Sequence, residues 1–197
     1  SNPFAMDKDG FFLANTCYFL PVGDGLLLAY LNSKLAWFFF SSVTNIARGG
    51  YLRLRAEFVE QIPIPLASKA LTQQLIGMGE NCTALAARRL EVQSEVHHRI
   101  LTDLAPVQVK LTGKLQNFFA LDFAAFRAEV EKTFKTEIPV KDRGGWEKYL
   151  AEKSADVIKL SADIKAAERK IDAIVYKLFD LTPDEIKLLE DSLERQR

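Results

Sequence analysis

Two long stretches of this chain repeat apolar residues at alternating spacings of three and four positions, and no other feature constrains its fold as strongly. Such spacing lines up apolar side chains on one face of an α-helix. The apolar positions are Leu71, Leu75, Met78, Cys82, Leu85, Val92, Val96 and Ile100 in the first stretch, and Leu150, Val157, Leu160, Ile164, Ala167, Ile171, Ile174 and Leu178 in the second. Helices from about residue 68 to 104 and from 146 to 179 would each span roughly 50 Å at 1.5 Å per residue. We expect them to pair antiparallel, the second along a seam close to a coiled-coil heptad.

Shorter patterns separate and follow these helices. Residues 115 to 134 are rich in phenylalanine at helical spacing, and Asp122 is suited to cap the second half of this segment. The sequence "IPVKDRGG", residues 138 to 145, predicts a loop. Near the C-terminus, Thr182 as N-cap and Glu185 three residues later form a capping-box pattern, which predicts a final helix.

The first 66 residues have a different pattern. Residues 10 to 22 are aromatic and β-branched, which predicts one long or two short strands, and residues 26 to 42 are apolar enough for a core helix. The alternation in "YLRLR", from Tyr51 to Arg55, indicates a half-buried strand, and Pro63 and Pro65 stiffen the segment that follows. We therefore predict an α+β protein, predominantly α, with a sheet-plus-helix recognition module at residues 10–66 and a helical module of long paired helices at residues 67–197.

The charge of the chain is balanced overall but uneven locally. It has 26 basic and 26 acidic residues and a formal net charge of zero, so it lacks the whole-protein field of many nucleic-acid binders. No acidic residue lies between Asp24 and Glu57, however. The basic residues of this window are Lys34, Arg48, Arg53 and Arg55. The protein is therefore expected to carry one basic face.

This basic window contains the residue types that bind a polyanion. Gly49 and Gly50 expose backbone N–H groups, the arginines supply forked donors, and Asn45 and Tyr51 add adaptable polar groups. The candidate DNA-binding set is Lys34, Asn45, Arg48, Gly49, Gly50, Tyr51, Arg53 and Arg55. An ordinary edge strand whose arginines pair with Glu57 or Glu60 explains the same residues, and the residue pattern alone leaves both interpretations open.

No catalytic or metal-binding constellation stands out in the sequence. His97 and His98 are adjacent, so on a helix they point about 100° apart and cannot clasp one ion without further ligands. No Walker loop, zinc spacing or nucleophile elbow occurs. No apolar run reaches the ~18 residues of a membrane span, and no signal peptide is evident. We expect a cytoplasmic, non-enzymatic protein without a metal or a membrane partner.

Several motifs in order resemble a known family. An extended "NTCYFLPV", the helical triplet Leu31, Asn32 and Ser33, the strand after Gly49 and Gly50, and a closing "QIPIP" are followed much later by "IPV", Trp146 and "KIDAIVYKLFDLT". This series resembles the C-terminal specificity region of type IIG restriction-modification enzymes and of TaqI-like adenine DNA methyltransferases. The resemblance covers most of the chain.

The resemblance implies a function and a set of partners. It implies a non-catalytic target-recognition domain that binds double-stranded DNA, and a chain that is the C-terminal part of a larger enzyme. The upstream methyltransferase domain would use S-adenosylmethionine, with Mg²⁺ for any cleavage, while this part would hold no cofactor. The alternative from the residues is a helical protein-interaction module, in which the long helices form a homodimer as a coiled coil or dock a partner subunit.

Overall fold

The computed structural model describes residues 4–7, 10, 12, 19–21, 24–44, 46–47, 51–52, 54–106 and 109–195. The chain forms two compact units: unit 1 comprises Ser1–Cys82 and Ala167–Arg197, and unit 2 comprises Thr83–Ala166. The predicted domains, residues 10–66 and 67–197, follow chain order and stay a prediction.

The first part of unit 1 is helical where a sheet module was predicted. Helix α1, Gly25–Leu31, and helix α2, Lys34–Val43, are followed by the two-residue strands β1, Ile46–Ala47, and β2, Tyr51–Leu52, and by the short helix α3, Ala56–Val59. The predicted α+β class is therefore wrong, because extended pairing among the described residues is confined to these four positions, too few to form a sheet with a hydrophobic face. The predicted strands at residues 10–22 fall mostly outside the described residues.

The single core helix predicted over residues 26–42 is in fact two helices, bent by 62° at their junction. The Ser33 hydroxyl caps α2 by accepting a hydrogen bond from the Ala36 N–H at 3.3 Å. The Asn32 side chain accepts from the Phe4 N–H at 3.2 Å and donates to the Phe4 carbonyl at 3.0 Å, so it pairs with a preceding segment as a backbone would. These two polar residues divide an otherwise apolar run.

The two long helices are present, and they are the longest elements described. Helix α4 is Lys69–Asp103 and helix α7 is Val140–Leu178. The predicted loop at residues 138–145 is wrong, since α7 begins at Val140 and continues through Gly144 and Gly145. Pro139 precedes the helix, and its carbonyl accepts from the Asp142 N–H at 2.9 Å. The first turn is held further by Arg143, whose Nε donates to the Ile138 carbonyl at 3.0 Å.

The core of unit 1 joins segments from both ends of the chain. Gly25 at the start of α1 lies so close to α4 that a Cβ there would sit 3.0 Å from a side-chain carbon of Ile76. Tyr30 stacks on Phe179 with ring centroids 5.4 Å apart, and burial raises its pKa to about 12. The buried apolar residues are Leu26, Ala29, Tyr30, Leu31, Ala36, Phe40, Ile62, Leu75, Ile171 and Val175.

Unit 2 has a separate apolar core in which α4 and α7 run antiparallel. Arg89 lies beside Ser161 and Glu95 beside Lys153, so residue numbers fall on α4 as they rise on α7. Helix α5, Gly113–Gln116, a 3₁₀ turn, Phe118–Ala120, and helix α6, Phe123–Phe134, complete the unit. The predicted cap is confirmed, because Asp122 accepts from the Ala125 N–H at 2.7 Å. Its core consists of Val92, Val96, Ile100, Leu104, Leu115, Phe118, Phe126, Val130, Phe134, Ile138, Trp146, Leu150 and Val157.

The last helix, α8, is Pro183–Arg195, and its capping box is confirmed. The Thr182 N–H donates to Glu185 Oε2 at 2.8 Å, while the Glu185 N–H donates to Thr182 Oγ1 at 3.4 Å. Among the described helices none is by itself long and apolar enough to cross a membrane, and α1 with α2 passes that test only as a pair with a sharp bend.

The C-terminal end of α7 is closed by an aspartate in a glycine-favouring conformation. Asp180 has φ +50°, its N–H donates to the Lys177 carbonyl at 3.2 Å, and the Leu181 N–H donates to the Tyr176 carbonyl at 3.0 Å. These are the two hydrogen bonds of a Schellman motif, whose left-handed position is normally glycine. The left-handed backbone costs an L-residue with a Cβ roughly 1 kcal/mol.

We expect Asp180→Gly to stabilise unit 1. Glycine removes the strain and also a negative charge from a helix C-terminus, so the free energy of unfolding should rise by about 1 kcal/mol in urea titrations followed by circular dichroism. The contrasting variant is Lys187→Gly, exposed inside α8, which should lose about 1 kcal/mol because glycine disfavours a helix interior. Equal destabilisation by both substitutions would show that the Asp180 conformation is not strained.

Candidate nucleic-acid interface

The predicted interface centres on a small hairpin that helices α2 and α3 flank in the chain. In the hairpin, β1 pairs antiparallel with β2, with Ile46 opposite Leu52 and Ala47 opposite Tyr51. Helix α2 leads into β1, and α3 follows β2 and packs against α2. Residues 48–50, which separate the two strands in the sequence, lie outside the described residues. Helix α2 therefore leads into the hairpin, and the chain that leaves the hairpin packs back against α2 through α3.

The structure describes three of the eight predicted site residues. Lys34 is the first residue of α2, the backbone of Tyr51 lies in β2, and Arg55 is at the N-cap position of α3. Asn45, Arg48, Gly49, Gly50 and Arg53 lie outside the described residues, so their place in the site stays a prediction.

Arg55 combines exposure with a weak internal partner. Its Nη1 lies 3.4 Å from Oε1 of Glu57, and both side chains are more than half exposed. An exposed pair of this kind contributes about 0–1 kcal/mol. A phosphate group could therefore replace Glu57 at little cost. The competing interpretation from the sequence is that the arginines pair with nearby acids. For Arg55 such a pair exists, but it is the exposed contact with Glu57 at 3.4 Å.

A few residues of the segment that follows the hairpin pack against the core of unit 1. Leu54 packs partly buried against the core of unit 1, and Ile62 and Pro65 are buried. Ile64 and Leu66 are exposed between and after them. The segment after α3 is therefore fixed to the core through its buried members, and the stiffness expected from Pro63 and Pro65 stays a prediction.

Lys34 lies in a hydrogen-bond network with three other residues, Asp172, Tyr176 and Glu190, which the sequence did not indicate. Its backbone N–H donates to Oδ1 of Asp172 at 2.8 Å, and its Nζ donates to Oε1 of Glu190 at 2.7 Å. The Tyr176 hydroxyl donates to the same Glu190 oxygen at 3.2 Å. The ammonium group predicted to meet a DNA phosphate thus already binds a carboxylate. Its role as a phosphate contact stays a prediction.

The pKa values of the two carboxylates in this network are shifted in opposite directions. Burial raises the pKa of Asp172 from 3.8 to about 6, although the N–H and the charge of Lys34 oppose the shift; Glu168 and Glu190 add to it. The hydrogen bond from Lys34 lowers the pKa of Glu190 below its ordinary value. Burial, with the nearby acids, raises the pKa of the Tyr176 hydroxyl far above its ordinary range. At neutral pH, Glu190 is the charged partner and Tyr176 a neutral donor.

One signal for these residues was present in the sequence. Asp172 interrupts an apolar run between Ile171 and Val175, and a carboxylate at such a position needs a hydrogen-bond donor. No sequence rule identifies that donor as Lys34, 138 positions away along the chain. Among the described residues, no group of three or more His, Cys, Asp or Glu side chains is placed to hold a metal ion.

Comparison with known proteins gives two family matches. Residues 68–175, more than half of the chain, match the model of a family described as a domain of unknown function, DUF8810. Residues 1–64 match the TaqI-like C-terminal specificity domain, which agrees with the resemblance seen in the motifs. Neither the curated proteins nor the solved structures contain a significant match.

The burial of Asp172 generates a pH prediction. The folded state holds the Asp172 proton up to about pH 6, whereas the unfolded chain releases it near 3.8, so this group makes the protein lose stability as pH rises from about 4 to 6. Asp172→Asn keeps an oxygen acceptor for the Lys34 N–H and removes the buried charge. We expect it to raise the free energy of unfolding at pH 8 by up to about 3 kcal/mol and to leave it unchanged near pH 3.

The measurement is urea unfolding of wild type and variant at several pH values between 3 and 8. Asp163→Asn, at an exposed position of α7, is the control and should track the wild type throughout. A variant that is less stable than wild type at pH 8 would mean that the Asp172 charge stabilises the fold.

Proposed function

This chain is a member of the DUF8810 family and carries a TaqI-like C-terminal specificity domain at residues 1–64, and we propose that it recognises double-stranded DNA for a restriction-modification methyltransferase. The specificity-domain match carries this proposal, since that domain suggests a DNA-recognition role in a methyltransferase. The same residues 1–64 contain the acid-free window, the hairpin and Arg55.

The geometry of the described residues supports a mode of binding. The hairpin follows α2 in the chain, and Arg55 lies three residues beyond β2 with its side chain more than half exposed. A two-stranded ribbon is narrow enough to enter the major groove of DNA. We propose that Tyr51, Arg53 and Arg55 on the second strand side, with Arg48, Gly49 and Gly50 in the connection and Asn45 before it, form the contact surface.

The finer parts of the proposal concern the parent enzyme. We propose that this part of the protein is non-catalytic and cytoplasmic, and that methyl transfer from S-adenosylmethionine, with any Mg²⁺-dependent cleavage, takes place in other domains of a type IIG enzyme. The alternative of a helical dimerisation module through α4 and α7 also stays open. Sedimentation of the protein with and without duplex DNA separates the two, because a dimer indifferent to DNA supports the alternative.

The central test is the salt dependence of DNA binding. Each phosphate contact makes the logarithm of the association constant fall by about 0.9 per tenfold rise in salt. If Arg53 and Arg55 both meet phosphates, replacing both by alanine should weaken binding to a mixed-sequence duplex and make the slope shallower by about 1.8. Fluorescence anisotropy between 50 and ~300 mM salt gives both quantities.

The control for this test is a second exposed arginine in a similar ion pair. Arg88 in unit 2 lies 3.0 Å from Glu91, with both side chains well exposed, as in the Arg55–Glu57 pair. Arg88→Ala should leave affinity and slope unchanged. Equal effects of the Arg88 and the Arg53/Arg55 substitutions, or unchanged binding by the double variant, would reject the hairpin as the contact surface.

A further inference from the structure

We propose that Lys34 and Glu190 are positioning residues, forming an ion pair that fixes the orientation of α2 and so the placement of the hairpin, and that Lys34 does not itself contact DNA. The inference rests on the proposed DNA-recognition function for its effect on binding. It extends that function to residues of α7 and α8, which lie far outside the segment that matches the specificity domain.

The connection from the ion pair to the hairpin is short and direct. Helix α2 begins at Lys34 and ends at Val43, and β1 begins three positions later. A ten-residue helix is ~15 Å long, so a tilt of about 4° at its first turn displaces its far end by about 1 Å. A displacement of that size is enough to spoil a recognition geometry. The orientation of the first turn of α2 therefore affects where the hairpin begins.

Two other helices hold this first turn. Asp172 of α7 accepts a hydrogen bond from the Lys34 backbone, and Glu190 of α8 accepts one from the Lys34 side chain. Tyr176, one turn after Asp172 on α7, donates to Glu190 and so keeps its carboxylate in place. Attachment through both the backbone and the side chain of one residue restricts rotation of α2 as well as translation.

The same contacts make the site unsuitable for a phosphate. A helix N-terminus attracts anions through its free N–H groups, but here the N–H of Lys34 already binds the Asp172 carboxylate. The ammonium group binds Glu190, and Glu168 adds a third acid near Asp172. A DNA phosphate would have to displace one carboxylate and approach the others. Lys34 is therefore better placed to hold the helix than to meet DNA.

A double-substitution cycle tests the inference. Lys34→Gln, Glu190→Gln and the combined variant are compared for duplex affinity, for salt slope and for amide hydrogen exchange in β1 and β2. The chain contains a matched control: in unit 2, Lys153 lies 2.7 Å from Glu95, and the Tyr149 hydroxyl donates to the same carboxylate at 3.3 Å. Glu95→Gln breaks a triad of the same three residue types within unit 2, whereas the hairpin belongs to unit 1.

The positioning role predicts a specific pattern. Because the Lys34 and Glu190 side chains are 38% and 41% exposed, both single variants should bind DNA more weakly by up to about fivefold with the salt slope unchanged. The combined variant should be no weaker than either. Exchange of the β1 and β2 amides should be faster in all three. Glu95→Gln should change neither affinity nor hairpin exchange, although it removes an equivalent ion pair.

Three results would overturn the proposal. A slope made shallower by about 0.9 in Lys34→Gln alone, with Glu190→Gln binding as well as wild type or better, would make Lys34 a phosphate contact. Equal effects of Glu190→Gln and Glu95→Gln would reduce the pair to general stability. Unchanged amide exchange in β1 and β2 would exclude the positioning role, and this holds whether or not the protein binds DNA. Failure of the wild type to bind DNA would by itself reject only the proposed function.

Discussion

The carboxylate of Asp172 accepts a hydrogen bond from the first backbone N–H of α2, and much of unit 1 depends on this contact. It joins α7 to a helix 138 positions earlier in the chain, at the junction where α1 ends and α2 changes direction. Burial of a carboxylate costs free energy, and the retained bond to Lys34 offsets only part of that cost. The same hydrogen bond fixes the position at which α2 begins.

Other polar residues also hold the junction between α1 and α2 in place. Asn32 pairs with the backbone of Phe4, Ser33 caps α2, and Glu190 holds the Lys34 side chain. The Ser33 hydroxyl satisfies a backbone N–H that the start of a helix would otherwise leave unpaired, while the other two contacts tie this junction to the N-terminal segment and to α8. Unit 2 contains cation–π contacts instead, in which the Arg99 guanidinium lies 4.1 Å from the centre of the Tyr149 ring and 5.0 Å from that of Trp146.

Those parts of the fold that depend on local periodicity could be predicted, and those that depend on distant partners could not. The long helices, the Asp122 cap and the capping box at Thr182 follow from spacing and cap chemistry within a few residues. The predicted loop before Trp146 was wrong because "VKDRGG" carries loop-forming residues, while Arg143 and the Pro139 carbonyl support a first helical turn there. The sheet was wrong because strand pairing among the described residues is confined to β1 and β2. For the site, the basic window is visible in the sequence, whereas the acids around Lys34 are brought there only by tertiary packing.

The discontinuity of unit 1 has a consequence for how the protein is made. Its apolar core takes residues from the first 82 positions and from the last 31, so the hairpin and its supporting helices cannot complete their packing until α7 and α8 have left the ribosome. Thr83–Ala166 holds its core within one continuous stretch and is free to fold while synthesis is still under way. A nascent chain would therefore acquire the proposed DNA reader last, after its helical insert.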